Sequence, residues 1–200
     1  MIVENFHTIV VATRNSGKLR EFQALLMPLI SRVLNLRDVG IDSDVRESGT
    51  TFTQNARIKA LAYSRLTRFP VLADDSGLEV SALEGRPGVY SARFAGPDAT
   101  DEDRNRKLLK ELEHEEKNRD ARFYCALALA QQGTLRLEVD GDCRGVIADV
   151  PRGTNGFGYD PVFLFPELDK TFAELTSEEK NEYSHRARAI RNLISRLKEA

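Results

Sequence analysis

The chain has no tryptophan, three histidines and only two cysteines in 200 residues. Each shortage closes off some chemistry. Cys125 and Cys143 stand in "FYCALALA" and "GDCRGV", without C-x-x-C spacing. A secreted domain of this size usually carries more cysteine, so a reduced, cytoplasmic protein is expected. No two histidines have metal-ligand spacing: His7 precedes an apolar run and His114 sits in an acidic stretch. No apolar run approaches the roughly 18 residues of a membrane span. The opening "MIVENFHTIVVAT" lacks the basic start and long apolar middle of a signal peptide. A net charge of −2 gives no general pull on a polyanion, so nucleic acid is not an expected partner. There is no glycine-flanked nucleophilic serine of the G-x-S-x-G kind.

What is present is ordinary for a soluble globular protein: 41% hydrophobic and 30% charged residues. The length suits one domain over 1–200, with closely packed lobes at most. "HTIVVAT" (7–13) reads as a buried strand, and "RNSG" as a turn. Phe22, Leu25, Leu26 and Leu29 then recur at helical spacing. A second strand is expected over "RVLNL" (32–36), and a polar loop over 37–50. A helix over 51–69 ends before Pro70, with Ile58, Leu61 and Ala62 as its apolar stripe. "PVLADD" is a third strand, turned by Ser76-Gly77, and 83–100 is a long loop. Residues 100–116 suit a helix with an acidic start. "ARFYCALALA" and "LRLEVDGDCRGVIADV" suit two strands joined by "QQGT". "FGYDPVFLF" is a loop entering a short strand. Thr176 and Glu179 form a capping box, and Ile190, Leu193, Ile194 and Leu197 mark a last helix. Strands interleaved with helices indicate α/β, and the 121–150 hairpin makes the sheet mixed.

Four stretches carry possible chemistry. In "VLADDSGLEV" (71–80) two carboxylates, Asp74 and Asp75, close an apparent strand. Adjacent carboxylates repel unless a cation or a shared proton lies between them. Hard oxygens at a strand end suit Mg²⁺ shared with substrate phosphates, and Glu47 in "DVRESGTTF" is a further ligand candidate. Two solvated acids in a turn would look the same. "ATRNSGKLREF" (12–22) places a glycine turn and Lys18 at a helix start, a natural phosphate cradle. It is not a Walker A loop, because Ala12 and Leu19 stand where glycine and Ser/Thr are required. "GTNGFGYDPVF" (153–163) offers close backbone approach and the rings of Phe157 and Tyr159 for stacking a base. "EEKNEYSHRAR" (178–188) brings Lys180, His185 and Arg186, donors suited to keto or phosphate oxygens. Lys59 lies on a helix among apolar residues, where a snorkelling surface lysine is the plainer account. Together these make a site for a nucleotide with Mg²⁺. A P-loop hydrolase or kinase and a non-catalytic nucleotide or RNA binder stay open on the residues alone.

The segments "TRNSGK", "ESGTTFTQNARIKA", "ADDSGLEV", "GRPGVYSARFAG", "GFGYDPVF" and "AELTSEEKNEYSHRARA", in this order, resemble the inosine triphosphate pyrophosphatase family, also called Ham1-like or RdgB-like. They run from residue 8 to about 190. The resemblance implies an elongated mixed sheet flanked by helices, two lobes with a central nucleotide cleft, and a homodimer. It implies Mg²⁺-dependent hydrolysis of ITP, dITP and XTP to the monophosphate and pyrophosphate, which clears deaminated purines before they enter DNA or RNA. Carried over by motif, Thr13, Arg14, Asn15, Ser16, Gly17 and Lys18 would hold the triphosphate, with Lys59 and Ser76 touching phosphate. Glu47, Asp74 and Asp75 would bind metal, Asp75 also serving as general base. Phe157, Gly158, Tyr159, Asp160, Lys180, His185 and Arg186 would surround base and sugar. Arg14 departs from the family, which more often has a small residue there.

Overall fold

The computed structural model describes residues 7–115 and 118–199. Its strands are β1 (Thr8–Ala12), β2 (Arg32–Asn35), β3 (Val71–Val80), β4 (Asp120–Gln131), β5 (Thr134–Ile147), β6 (Phe163–Phe165) and β7 (Lys170–Thr171). Its α-helices are α1 (Ser16–Leu26), α2 (Phe52–Ser64), α3 (Asp101–Glu111), α4 (Ser177–Tyr183) and α5 (His185–Glu199). The strand order is β2-β1-β3-β4-β5-β6-β7. β1 pairs parallel with β2 and β3, whereas β6 pairs antiparallel with β5 and β7, so the sheet is mixed as expected. The chain forms two compact units. Unit 1 is Met1–Asp75, Cys125–Gly141 and His185–Ala200; unit 2 is Ser76–Tyr124 and Asp142–Ser184.

In unit 1, β-branched residues build β1, whose Val10, Val11 and Ala12 lie level with Val71, Leu72 and Ala73 of β3. Side chains alternate across a strand. Leu72 therefore shares a face with Ile9 and Val11, and that face packs against Phe22 and Leu26 of α1 and Ala189, Ile190 and Leu193 of α5. Asp74 continues the Leu72 face, while Ala73 and Asp75 point to the other side, where Asn55 of α2 meets Asp75. Gln132 and Gly133 both have positive φ, which makes the β4–β5 connection a tight two-residue hairpin. Cys125 is a core residue, and burial pushes its thiol up to about 12.

Unit 2 has its own core around Phe123, Phe163 and Phe172, whose ring centroids lie 4.5 Å (Phe123–Phe163) and 4.9 Å (Phe163–Phe172) apart. α3 starts on a Thr100–Asp103 capping box and α4 on the expected Thr176–Glu179 box.

Four expectations need correction. β3 does not turn at Ser76-Gly77; it runs on through ten residues to Val80, with Gly77 extended and buried. The two aspartates are therefore mid-strand, not at a strand tip. α1 stops at Leu26 before Pro28, and Ile30 is buried where Leu29 was expected to be. α2 ends at Ser64, five residues short of 69, because the Ser64 hydroxyl accepts from Gly133 N–H at 3.0 Å and donates to the Leu61 carbonyl. Its buried face is Phe52, Asn55, Ala56, Ala60, Tyr63 and Ser64, whereas Ile58, Leu61 and Ala62 are only half-buried. α3 ends at Glu111, and Glu116, the far end of the expected helix, lies outside the described residues.

At Gly141 the backbones of β5 and α5 approach closely: a Cβ there would sit 2.3 Å from Ala189 N and 2.6 Å from the His185 carbonyl. Backbone cannot yield as a flexible side chain does. Gly141→Ala is expected to cost about 1–3 kcal/mol of stability in urea unfolding, as overpacked sites do; an unchanged midpoint would show that α5 lifts off β5 freely.

Candidate active site

The centre of unit 1 is the pair of buried carboxylates in β3. Asp74 and Asp75 are 2% and 7% exposed. Strand alternation aims neighbouring side chains at opposite faces, so the two acids make their direct contacts with different partners. Lys18, in the first turn of α1, donates from Nζ to Asp74 Oδ2 at 2.9 Å. Arg186, in the first turn of α5, lies 4.0 Å from the same oxygen and pairs with Glu21 of α1. Asp75 Oδ2 accepts from Asn55 Nδ2 at 2.9 Å, and Asp75 Oδ1 lies 3.8 Å from Lys59 Nζ. Lys59 makes its closer contact, 2.8 Å, with Glu47.

These surroundings drive the two acids apart. Burial alone would raise both. At Asp74 the nearby Lys18, Arg186 and Lys59 outweigh burial and hold the carboxyl well below its ordinary value. At Asp75 burial wins over Lys59 and Asn55, and the carboxyl is pushed up to about 6. Burial would lower Lys59, but Asp74, Asp75 and Glu47 raise it, so it stays charged. Arg186 is likewise raised, burial being overcome by Glu21 and Asp74.

The turn before α1 is organised by its own side chains. Asn15 caps the helix by accepting from Lys18 N–H at 2.9 Å, and Thr13 Oγ1 accepts from Asn15 N–H. Ser16 is exposed and Gly17 buried. The first turn of α1 has no acidic side chain, so its positive end is not cancelled locally. Arg14 turns toward the 42–44 loop, pairing with Asp44 at 2.6 Å and donating to the Asp42 and Ser43 carbonyls.

Unit 2 holds the glycine turn. Lys180 is buried against Asp160, and its Nζ lies 4.7 Å from the Phe157 ring centroid. Asp160 Oδ2 also accepts from Phe157 N–H at 2.8 Å. Gly156 has φ +77°, and a Cβ there would meet Asp160 Oδ2 at 1.9 Å, so only glycine lets the turn close. Tyr159 does not offer a stacking face: its ring is buried in the core and its hydroxyl donates to the Ser91 carbonyl. Phe157, half-buried, keeps that role open. Gly158 is bracketed by α3, its N–H donating to Asp101 at 2.7 Å and its carbonyl accepting from Asn105 at 3.0 Å.

A model of the Ham1 family matches residues 9–196. The chain belongs to the Ham1 family. It is 51% identical to the dITP/XTP pyrophosphatase of Bacillus licheniformis over 193 residues, covering 96% of this chain and 98% of that one. Against the dITP/XTP pyrophosphatase of Geobacillus kaustophilus it is 52% identical over 192 residues, 96% and 94% of the two chains. The solved HAM1 protein of Coxiella burnetii superposes with a TM-score of 0.86 at 43% identity, covering 96% of this chain and 99% of that one. The Staphylococcus aureus Ham1 protein does so at 0.84 and 41%, covering 96% and 98%.

Within this Ham1-family chain, the expected site residues fall into distinct places. Unit 1 gathers Lys18, Glu47, Lys59, Asp74, Asp75 and Arg186; unit 2 gathers Phe157, Gly158, Asp160 and Lys180. Ser76 follows Asp75 in β3, half-buried, and His185 is buried at the start of α5. Sequence reasoning missed Glu21, Asn55, Asp101 and Asn105. Asn55 had a usable signal: it precedes Lys59 by one helical turn, so the two share a face.

Among the described residues no three His, Cys, Asp or Glu side chains converge into a ready cage. Glu47 and Asp75, however, both approach Lys59 Nζ, so two hard carboxylates reach one cationic point. Among the described residues this centre brings Glu21, Glu47, Asp74 and Asp75 together with Lys18, Lys59 and Arg186. That set fits Mg²⁺ completed by phosphate oxygens and water.

The raised Asp75 value has a consequence for stability. An acid that binds its proton more tightly folded than unfolded weakens the fold as pH rises through its folded value. Asp75→Asn removes that cost. In chelator and without nucleotide, the variant should be more stable than wild type at about pH 8, by at most about 3 kcal/mol and with a higher melting temperature, and should match it only below about pH 3. A lower melting temperature at the higher pH would show that Asp75 is stabilised as the anion.

Proposed function

We propose that this protein hydrolyses non-canonical purine nucleoside triphosphates, dITP, XTP and ITP, to the monophosphate and pyrophosphate. The geometry of the acid pair carries the reading: Lys18 and Arg186 stand against Asp74, while Asn55 and Lys59 hold Asp75 with Glu47 beside it. The substrate class is supported by the pyrophosphatases of Bacillus licheniformis and Geobacillus kaustophilus.

Asp75, pushed up by burial to about 6, is basic for a carboxylate, and Asn55 and Lys59 hold it in one orientation, which suits a general base. It takes a proton from water as the water oxygen bonds to the α-phosphorus. The bond from that phosphorus to the α–β bridging oxygen breaks, and pyrophosphate leaves with the oxygen. Lys18 and Lys59 balance charge on the phosphates, and the uncancelled N-terminus of α1 adds to them. Mg²⁺ would be held by Glu47 and Asp75, and when bound it neutralises the phosphates and orients the leaving group. Asp74 serves chiefly as the counter-ion of Lys18 and Arg186.

Within unit 2 the Phe157 ring lies beside the Lys180–Asp160 pair. Selection for a keto oxygen at the purine 6-position needs hydrogen-bond donors, which an adenine amino group would leave unpaired. As the resemblance implies, we place the enzyme in the cytoplasm as a homodimer acting on free nucleotides, where it keeps deaminated purines out of DNA and RNA. Among the described residues no helix is long and apolar enough to cross a membrane.

Incubation with Mg²⁺ and a panel of dITP, XTP, ITP, GTP and ATP should release pyrophosphate, with the first three turned over far faster. Asp75→Asn should lose about 10²–10⁴-fold in kcat. Orthophosphate as the product would point to a P-loop type hydrolase, and tight binding without turnover to a non-catalytic nucleotide binder.

A further inference from the structure

We propose that Asn55 is a positioning residue, a clamp that fixes the Asp75 carboxylate and the Glu47-bearing loop in one geometry. The inference rests on the roles given above to Asp75 and Glu47. Asn55 is 1% exposed, on the inner face of α2. Its amide is used at both ends. Nδ2 donates to Asp75 Oδ2 at 2.9 Å, and Oδ1 accepts from Gly49 N–H at 2.8 Å. One planar group thus joins the general base to a loop position two residues from Glu47.

The loop is shaped to accept this grip. A Cβ on Gly49 would lie 2.7 Å from Asn55 Oδ1 and 2.7 Å from Gln54 Cβ, so glycine is what lets the backbone close on the amide. Beside it, Gln54 Oε1 accepts from Thr50 N–H at 2.8 Å and from Thr50 Oγ1 at 3.1 Å. Thr51 caps α2 by accepting from Gln54 N–H. The start of α2 therefore holds 49–50 at several points, and Glu47 is drawn to Lys59 one turn further along the same helix. At Asp75, the Asn55 bond on Oδ2 and Lys59 near Oδ1 fix the plane of the carboxylate from both sides. A general base needs that fixed direction, because efficiency falls steeply with misplacement. Side chains that orient a reacting group in this way commonly matter about 10- to 100-fold.

Two substitutions separate the two ends of the clamp. Asn55→Asp keeps the shape and the acceptor for Gly49 N–H, but presents an oxygen where Asp75 needs a donor. Asn55→Ala removes both. Amide hydrogen exchange at Gly49 is expected to stay slow in Asn55→Asp and become fast in Asn55→Ala, while β3 and β4 amides remain protected in both. With dITP, kcat should fall about 10- to 100-fold in each variant, and KM should stay within about threefold, since the change is in the reacting geometry. Gly49→Ala, which leaves the buried amide in place, should speed exchange across 47–50 and lower kcat in the same sense.

A folded Asn55→Ala or Asn55→Asp protein with kcat within about twofold of wild type would overturn the proposal. So would a Gly49 amide that exchanges freely in the wild-type protein. If the wild-type protein releases no pyrophosphate from any nucleotide, the functional reading fails instead, and Gly49 exchange alone then decides whether the clamp exists.

Discussion

Two adjacent buried carboxylates in the middle of a strand set the terms for unit 1. An isolated ionised group cannot be buried without compensation, and removing one partner of a buried pair typically costs about 3–5 kcal/mol. Asp74 and Asp75 therefore dictate what must approach β3 on each face. On one face α1 begins just where Lys18 can reach Asp74, and α5 begins where Arg186 can join it. Arg186 is itself buried, so Glu21 of α1 is needed beside it. On the other face the inner side of α2 gives up two apolar positions, one to Asn55 and one to Lys59. The starts of these helices are thus placed by charge as much as by apolar packing.

Unit 2 applies the same constraint on a smaller scale. Lys180 and Asp160 are buried together, which is stabilising only if their remaining hydrogen-bonding capacity is used. Asp160 uses its own on the Phe157 N–H, and the Phe157 ring covers the ammonium. Gly156 permits this by having no side chain where the carboxylate folds back. α3 then fixes the turn through Asp101 and Asn105 on either side of Gly158. A flat aromatic face beside a buried cation results from the folding of the turn itself.

Much of this was legible in the sequence, and the misses have physical causes. β1 and the 121–150 hairpin were readable because an apolar β-branched run and a glycine turn are local signals. The Thr176–Glu179 box was readable because both partners lie within one turn. Ser76-Gly77 misled because the pair is a common turn signal, yet glycine also fits an extended strand when burial demands it. Asn55 was missed because polar residues on a helix are expected to face water, and its two partners are 6 and 20 residues away. Tyr159 was misjudged because sequence cannot tell a ring that stacks on a ligand from one whose hydroxyl finds a carbonyl inside the core. The chemistry was visible as a set of residue types, but the division of labour between Asp74 and Asp75 depends on which strand face each occupies.

That division turns on competition for one lysine. Asp74 and Asp75 are both buried, yet burial prevails only at Asp75. The difference lies in how completely each is compensated. Lys18 donates directly to Asp74 at 2.9 Å, with Arg186 behind it. Lys59 could do the same for Asp75, but its short contact of 2.8 Å goes to Glu47 and leaves Asp75 at 3.8 Å. In a uniform medium that longer separation alone weakens the attraction by about a quarter. Glu47 also adds its own negative charge, which raises Asp75 further. By holding Lys59 away from full contact, Glu47 keeps its neighbour basic. The position of the Glu47 loop therefore bears on the proton affinity of Asp75 as well as on any ion the two acids share.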